Sequence, residues 1–211
     1  MVTQATSGAK PGPSHYFGDK FSRAYDVTFT GRDNKLQYPF QTSWGSTTRL
    51  IGACIMTHSD NNGLVLPPAV APIQVAVVPI AQHKPGVLDA ARELKRRLEA
   101  AGLRVKLDDS DQSPGWKFAQ YEMKGVPLRV EIGPKDMEKQ QCCMARRDTG
   151  EKTFVPLSDL ESAAQTLLQD VHDNLYAMAE KNLEDNTFDF TSWEEVREGL
   201  NRWGADLEPE D

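Results

Sequence analysis

The pattern of apolar and polar positions changes character about a third of the way along this chain. Before that point, "YDVTFT" and "LQYPFQT" flank the turn sequence "GRDN", which predicts a β-hairpin over 25–30 and 36–42. Residues 47–58 then place Leu50, Ile51, Cys54, Ile55 and His58 at three- and four-residue spacing, a helix with one face suited to a core. "NNGLVLPPAVAP" predicts a turn, a short strand and a punctuated connection. Pro67, Pro68 and Pro72 cannot continue a regular ladder, so a domain boundary is expected at 67–72.

Beyond the boundary, strands and helices alternate. "IQVAVVPI" is an apolar run of buried-strand length, and "PGVLDAARELKRRLEAAG" aligns Leu88, Ala91, Leu94, Leu98 and Ala101, with Gly102 as a stop. "LRVKLDD" alternates as a strand, and "GWKFAQYEMKG" reads as a short helix ending at Gly125. "PLRVEIG" is a strand with Leu128, Val130 and Ile132 on one side and Arg129 and Glu131 on the other. "QCCMARR" and "KTFVPL" form a hairpin around "DTGE". A capping pair, Ser158 and Glu161, predicts a long helix with Leu160, Ala164, Leu167, Val171, Leu175 and Met178 aligned. Ser192 and Glu195 predict the start of a last helix. This order implies a three-layer α/β domain with a mixed sheet.

With 39% hydrophobic and 26% charged residues among 211, the composition is that of an ordinary soluble globular protein. A formal net charge of -7 argues against non-specific nucleic-acid binding but leaves room for a local, shape-specific RNA site. No apolar run approaches membrane-spanning length, and the start lacks a secretory h-region. Cys54, Cys142 and Cys143 form neither an even disulfide set nor a ligand pair, and His15, His58, His83 and His172 are scattered. A reduced, cytoplasmic protein without zinc is the natural reading. Neither common phosphate-binding loop is present, and no nucleophile elbow occurs.

Two clusters carry candidate chemistry. Gly45, Ser46, Thr47 and Thr48 leave accessible amides at a helix start, and Arg49 adds a planar cation suited to an anion or a ring. A capped helix with a solvated Arg49 fits the same residues. "RVEIGPKDMEK" sets Arg129 and Glu131 on one strand face, followed by Lys135 and Asp136. Such donors and acceptors can read base edges, and Trp116 or Phe118 can stack a splayed base. The same residues also suit an ordinary loop and core. "KRR" at 95–97 lies opposite the apolar stripe and reads as solvated.

"TSWGSTTRLIGACIMTHSDNNGLVLPP" resembles motif 3 of a class II aminoacyl-tRNA synthetase, in the form found in prolyl-tRNA synthetases. "SHYFGDKFSRAYDVTF" resembles their substrate-binding strands. "APIQVAVVPI", "PGWKFAQYEMKGVPLRVEIGPKDMEKQQ" and "RRDTGEKTFVPL" resemble the anticodon-binding domain of the archaeal and eukaryotic type. The resemblance covers almost the whole chain. It implies an ATP- and Mg2+-dependent proline–tRNA ligase that forms prolyl-adenylate and transfers proline to tRNA(Pro). By that resemblance Arg49 is the catalytic arginine. Gln4, Thr6, His15, Ser43, Trp44 and Gly45 serve ATP and proline, with His58 grouped beside them. Lys117, Glu122, Arg129, Glu131, Lys135 and Asp136 face the anticodon.

The implied domains are the motif 3 end of the antiparallel catalytic sheet (1–66), a linker (67–72), the α/β/α anticodon-binding domain (73–175) and the start of a C-terminal module (176–211). In the family "Thr-Ser-His" is uninterrupted, whereas "GAKPGPS" here separates Ser7 from His15, and Ala69 stands where a basic residue is usual. Motifs 1 and 2, with the family's homodimer interface, are absent from this sequence. The chain alone is therefore expected not to catalyse, and proline-dependent ATP–pyrophosphate exchange by the purified chain would contradict that. The rival reading is a stand-alone, non-catalytic tRNA- or protein-binding module derived from the anticodon-binding domain.

Overall fold

The structure, a computed structural model, describes residues 14–205, with side chains to residue 201. The chain divides between Leu175 and Tyr176 into two compact units. The first contains two small antiparallel pairs and a five-stranded mixed sheet.

The core of the first unit is built on β5 (Val75–Pro79), in which every residue is buried. Parallel neighbours flank it: β6 (Val105–Leu107) on one side and β7 (Leu128–Ile132) on the other. The antiparallel strands β8 (Gln141–Arg146) and β9 (Lys152–Pro156) complete the order β6-β5-β7-β8-β9. Val75, Val77, Leu128, Val130, Ile132, Cys142 and Met144 point to one face. There they meet Ala91, Leu94 and Leu98 of α3 (Val87–Ala100) and Leu160, Ala164 and Leu168 of α6 (Leu160–Asp185). Ala76 and Val78 point to the other face, under Tyr121 and Phe118 of α4 (Pro114–Met123). Helices on both faces make the three layers that the alternating pattern predicts. Each fully buried valine or leucine contributes roughly 1.5–3 kcal/mol, so β5 and its flanks dominate the stability.

Local chemistry explains the ends of the helices. Ser113 caps α4 by accepting the Trp116 N–H at 3.3 Å, and Pro114 follows, where no donor is needed. Gly102 and Gly125, both with positive φ, close α3 and α4 with paired bonds: Leu103 to Leu98 and Val126 to Tyr121 span the last turns. Gly125 is required twice over. A Cβ there would lie 2.8 Å from the backbone of Leu64. Cys142 and Cys143 point to opposite faces, as adjacent strand residues must, and Cys142 enters the core.

Several expectations need correction. The hairpin is only β2 (Phe29–Thr30) with β3 (Leu36–Gln37). Pro39 interrupts the second strand, its carbonyl accepting the Ser22 hydroxyl at 2.7 Å, and β4 (Gln41–Trp44) pairs instead with β1 (Ser14–Gly18). A short helix, α1 (Lys20–Ala24), lies between. The helix at 47–58 is α2 (Arg49–His58), and no residue of it is fully buried. Residues 64–66 are not a strand; the N–H groups of Leu64 and Leu66 donate to the carbonyls of Met123 and Gly125 at the end of α4. A one-turn helix, α5 (Pro134–Glu138), occupies what reads as a loop.

Val87 and Leu168 are buried where Leu88 and Leu167 are expected, and Met178 is exposed. Arg97 is not merely solvated: it forks onto Glu161 at 2.6 and 2.7 Å and onto the Leu157 carbonyl. That pairing takes Glu161 away from the predicted capping box, and a 3-10 turn (Leu157–Asp159) starts α6 instead.

The proline segment is held down. Arg104 donates to the carbonyls of Pro68 (2.8 Å) and Ala71 (2.9 Å), and Gln74 adds a bond to Pro68. In the second unit, α7 (Trp193–Ala205) begins with Ser192 accepting the Glu195 N–H, while the Glu195 carboxylate reaches back to the Thr191 N–H at 2.8 Å. That is the predicted box with its acidic arm set one residue earlier. The Phe190 ring lies where a Cβ at Gly199 would stand.

Candidate nucleic-acid interface

The motif 3 residues collect on the β1–β4 pair and the start of α2. His15 lies opposite Ser43 in the register, and Ser14 opposite Trp44. The His15 ring stacks on Phe17 at 5.6 Å, and Trp44 is 79% exposed. Gly45 falls in the connection to α2, which Arg49 opens on an exposed turn. The Arg49 N–H donates to the Thr47 hydroxyl, and among the described residues its guanidinium forms no ion pair. An accessible guanidinium at a helix start can receive an anion or a ring. His58 closes the opposite end of α2, roughly 13 Å away at the helical rise per residue. It stands apart from the Arg49 end, half-buried, and burial holds its pKa below the ordinary value. Gln4 and Thr6 lie outside the described residues.

The second group is set by the sheet. Helix α4 covers the β5 side of its face and reaches β7 through Phe118 and Glu122, leaving Arg129 and Glu131 only 8 and 9% exposed, while Lys152 and Phe154 of β9 beyond them are exposed. Register places Arg129, Ala145 and Lys152 in one row, and Glu131, Cys143 and Phe154 in the next. The Arg129 guanidinium lies 4.0 Å over the Phe118 ring, with Nε donating to Glu131 Oε1 (3.0 Å) and Nη1 to Glu122 Oε1 (3.1 Å). Lys152 donates to the same Glu131 oxygen at 3.3 Å and stands 5.5 Å from Phe118. Phe154 is 62% exposed, and Trp116 on α4 is about half exposed. Burial pushes the Cys143 thiol pKa up, leaving it neutral between the charged rows.

Stacking and two ion pairs thus hold Arg129 in one orientation. Among the described residues nothing accepts from its Nη2, and nothing donates to Glu131 Oε2. A fixed donor beside a fixed acceptor, flanked by an exposed aromatic and a cation, is suited to an unstacked base.

The other expected residues are distributed differently. Lys117 is fully buried, its ammonium donating to the Asp108 carbonyl (2.9 Å) and Gln82 Oε1 (3.1 Å), so it faces inward. Asp136 accepts the Gly133 N–H at 2.9 Å and caps α5, on which Lys135 is exposed. Both sit just past the end of β7. Glu122, Arg129 and Glu131 are brought together. Lys152 and Phe154 were missed, although the alternation in "KTFVP" sets both on one face, opposite the buried Val155. Among the described residues no group of three or more His, Cys, Asp or Glu side chains is placed to hold a metal ion. No helix among them is long and apolar enough to cross a membrane.

Comparison with known proteins points the same way. Residues 74–167 match the family described as the anticodon binding domain. A proline–tRNA ligase of Ruminiclostridium cellulolyticum is 54% identical over 190 residues, 90% of this chain and 40% of that protein. Proline–tRNA ligase 2 of Bacillus thuringiensis (strain Al Hakam) is 53% identical over 186 residues, 88% of this chain and 39% of its own length. A proline–tRNA ligase of Clostridium botulinum (strain Langeland) is 52% identical over 189 residues, covering 90% and 39%. The chain thus spans about two fifths of the length of the curated relatives it matches.

Proposed function

We propose that the chain belongs to the prolyl-tRNA synthetase family and that its α/β domain, residues 73–175, reads the anticodon of tRNA(Pro). The observation that carries this reading is the cluster of Arg129, Glu131 and Lys152 against Phe118, with Phe154 exposed beside it. Proline codons begin CC, so every tRNA(Pro) anticodon carries two adjacent guanines. The Watson–Crick edge of guanine offers one acceptor and two donors. The Oε2 of Glu131, unpaired among the described residues, suits the two donors, and Nη2 of Arg129 suits the acceptor. Phe154 offers a face for stacking. Lys135, exposed on α5 just past β7, suits the RNA backbone. Lys117 and Asp136 act through the scaffold: one from inside, the other as the cap of α5.

In the complete ligase, residues 1–66 form the motif 3 end of the catalytic domain, 67–72 the connection and 176–211 the start of a further module. Arg49 steadies ATP and the leaving pyrophosphate, and His15, Ser43, Trp44 and Gly45, with Gln4 and Thr6, surround proline and the adenosine. ATP arrives with Mg2+, proline and tRNA(Pro) are the other substrates, the enzyme works as a dimer, and the reaction belongs to the cytoplasm. The test is binding of the purified chain to tRNA(Pro), and to the same tRNA altered only in its anticodon guanines, at fixed moderate salt. A preference of tenfold or more for the unaltered tRNA is expected. Equal, salt-sensitive binding of both would reject the reading.

A further inference from the structure

Arg147, just past the end of β8, is placed on no substrate, yet its side chain is only 5% exposed and every guanidinium nitrogen is used. Its Nη1 and Nη2 fork onto Asp60 at 2.7 and 2.6 Å, and its Nε donates to the Glu122 carbonyl at 2.9 Å. Its own N–H donates to the Pro127 carbonyl. Three segments therefore meet on one planar group: the end of β8, the last turn of α4, and the turn that follows α2. A lysine would supply the charge but not the fork.

The Asp60 end is equally constrained. Oδ1 accepts the N–H groups of Asn62 (2.8 Å) and Gly63 (3.1 Å), fixing the turn two residues beyond His58. Gly63 lies against Met123, where a Cβ would come within 2.7 Å of the Met123 carbonyl oxygen. Leu64 and Leu66 bond to the end of α4 as well. On the other side of that same turn of α4, the Glu122 carboxylate holds Arg129 on the sheet face. The last turn of α4 is thus joined to Arg129 through a side chain and to α2 through Arg147 and Asp60.

We infer that Arg147 and Asp60 form the link by which occupancy of the anticodon face adjusts α2, the helix that begins at Arg49. A base that takes Nη2 of Arg129 loads a guanidinium whose Nη1 is bonded to Glu122, and that load shifts the end of α4. The fork transmits that shift because it makes two bonds at once and is buried at its Arg147 end, with Asp60 44% exposed. Helix α2 responds because none of its residues is fully buried, so little packing opposes a small displacement. Both residues are positioning residues: neither touches the RNA or the reacting groups. The inference rests on the anticodon reading proposed above.

The experiment uses the full chain and a synthetic RNA stem-loop with the tRNA(Pro) anticodon. Binding is measured by fluorescence anisotropy, and amide hydrogen exchange is read for residues 50–58, with Val75–Pro79 as the folding control. In the unmodified chain, RNA binding is expected to change exchange in α2 by about fivefold or more, the lower end of ordinary coupling between sites. Asp60→Asn keeps an acceptor for Asn62 and Gly63 but loses the charged fork. It is expected to bind the stem-loop within about twofold of the unmodified chain while α2 exchange no longer responds. If the control strand shows Asp60→Asn to be unfolded, Arg147→Lys is read the same way. Stem-loop binding with no change in α2, or a response that survives in the folded variant, would overturn the link. Absence of stem-loop binding would overturn the anticodon reading and the link with it.

Discussion

Replacing Asp108 with alanine is expected to destabilise the α/β domain by about 3 kcal/mol or more, a larger cost than that of replacing its buried partner Lys117 with methionine. Lys117 is 1% exposed, and its ammonium donates to two neutral acceptors, with the Asp108 carboxylate 3.8 Å away as its counter-charge. Breaking a buried pair from the acid side leaves a charge with no compensation, which typically costs about 3–5 kcal/mol. The carboxylate also accepts the Ser110 hydroxyl and N–H, at 2.6 and 3.1 Å. Burial raises its pKa, but the Ser110 bonds and the Lys117 charge outweigh that and leave it below the ordinary carboxylate value. Lys117→Met removes the charge and keeps the volume, so its cost should be about 1 kcal/mol. Urea unfolding of both variants and the double variant decides the matter. A loss below about 1 kcal/mol for Asp108→Ala would mean that the neutral acceptors alone sustain the ammonium.

The second large effect concerns recognition. Arg129→Ala is expected to lower the preference for the unaltered anticodon by about 5- to 150-fold, the ~1–3 kcal/mol typical of one good side-chain–base pair. Arg129→Lys should resemble alanine more than arginine, because it keeps the charge and loses both the fork and the stacking on Phe118. Glu131→Gln replaces an acceptor oxygen with a donor facing the donors of guanine, and should cost discrimination in the same range. Lys152→Ala should instead weaken binding of both tRNAs together and flatten the salt dependence. The measurement is the ratio of dissociation constants for the two tRNAs at one salt concentration, with thermal unfolding of each variant as the control for folding. Discrimination unchanged in Arg129→Ala would place the base reader elsewhere.

The legible parts of the chain were those where one period governs a whole element. The continuous run at Val75–Pro79 is buried on both faces, and the alternation of Leu128, Val130 and Ile132 against Arg129 and Glu131 separates the apolar core from the charged face of β7. Gly102 and Gly125 stop their helices because positive φ is available there. What escaped depends on contacts between distant segments. Lys117 sits in an amphipathic helix and reads as a surface lysine until Gln82 and Asp108 surround it. Arg147 and Arg97 look like solvated charges because their acceptors lie 87 and 64 residues away. The partner of β4 was hidden because strands this short carry too few alternating positions to announce their pairing. Arg49 stood out by its place at a helix start behind small residues, whereas Trp44 was visible only through the resemblance of the stretch around it.

The outermost strand of the sheet has a consequence for the chain's behaviour at high concentration. β9 is a terminal member of the order β6-β5-β7-β8-β9, so among the described residues one side of its backbone has no neighbour in the sheet. A bare strand edge invites a copy of the same chain to extend the ladder, and an open face bearing Phe154 beside it would make such stacking adhesive. The strand is only five residues long, begins with a charged Lys152 and ends in Pro156, which has no N–H to offer. A face that exposes Phe154 is thereby kept from templating its own aggregation.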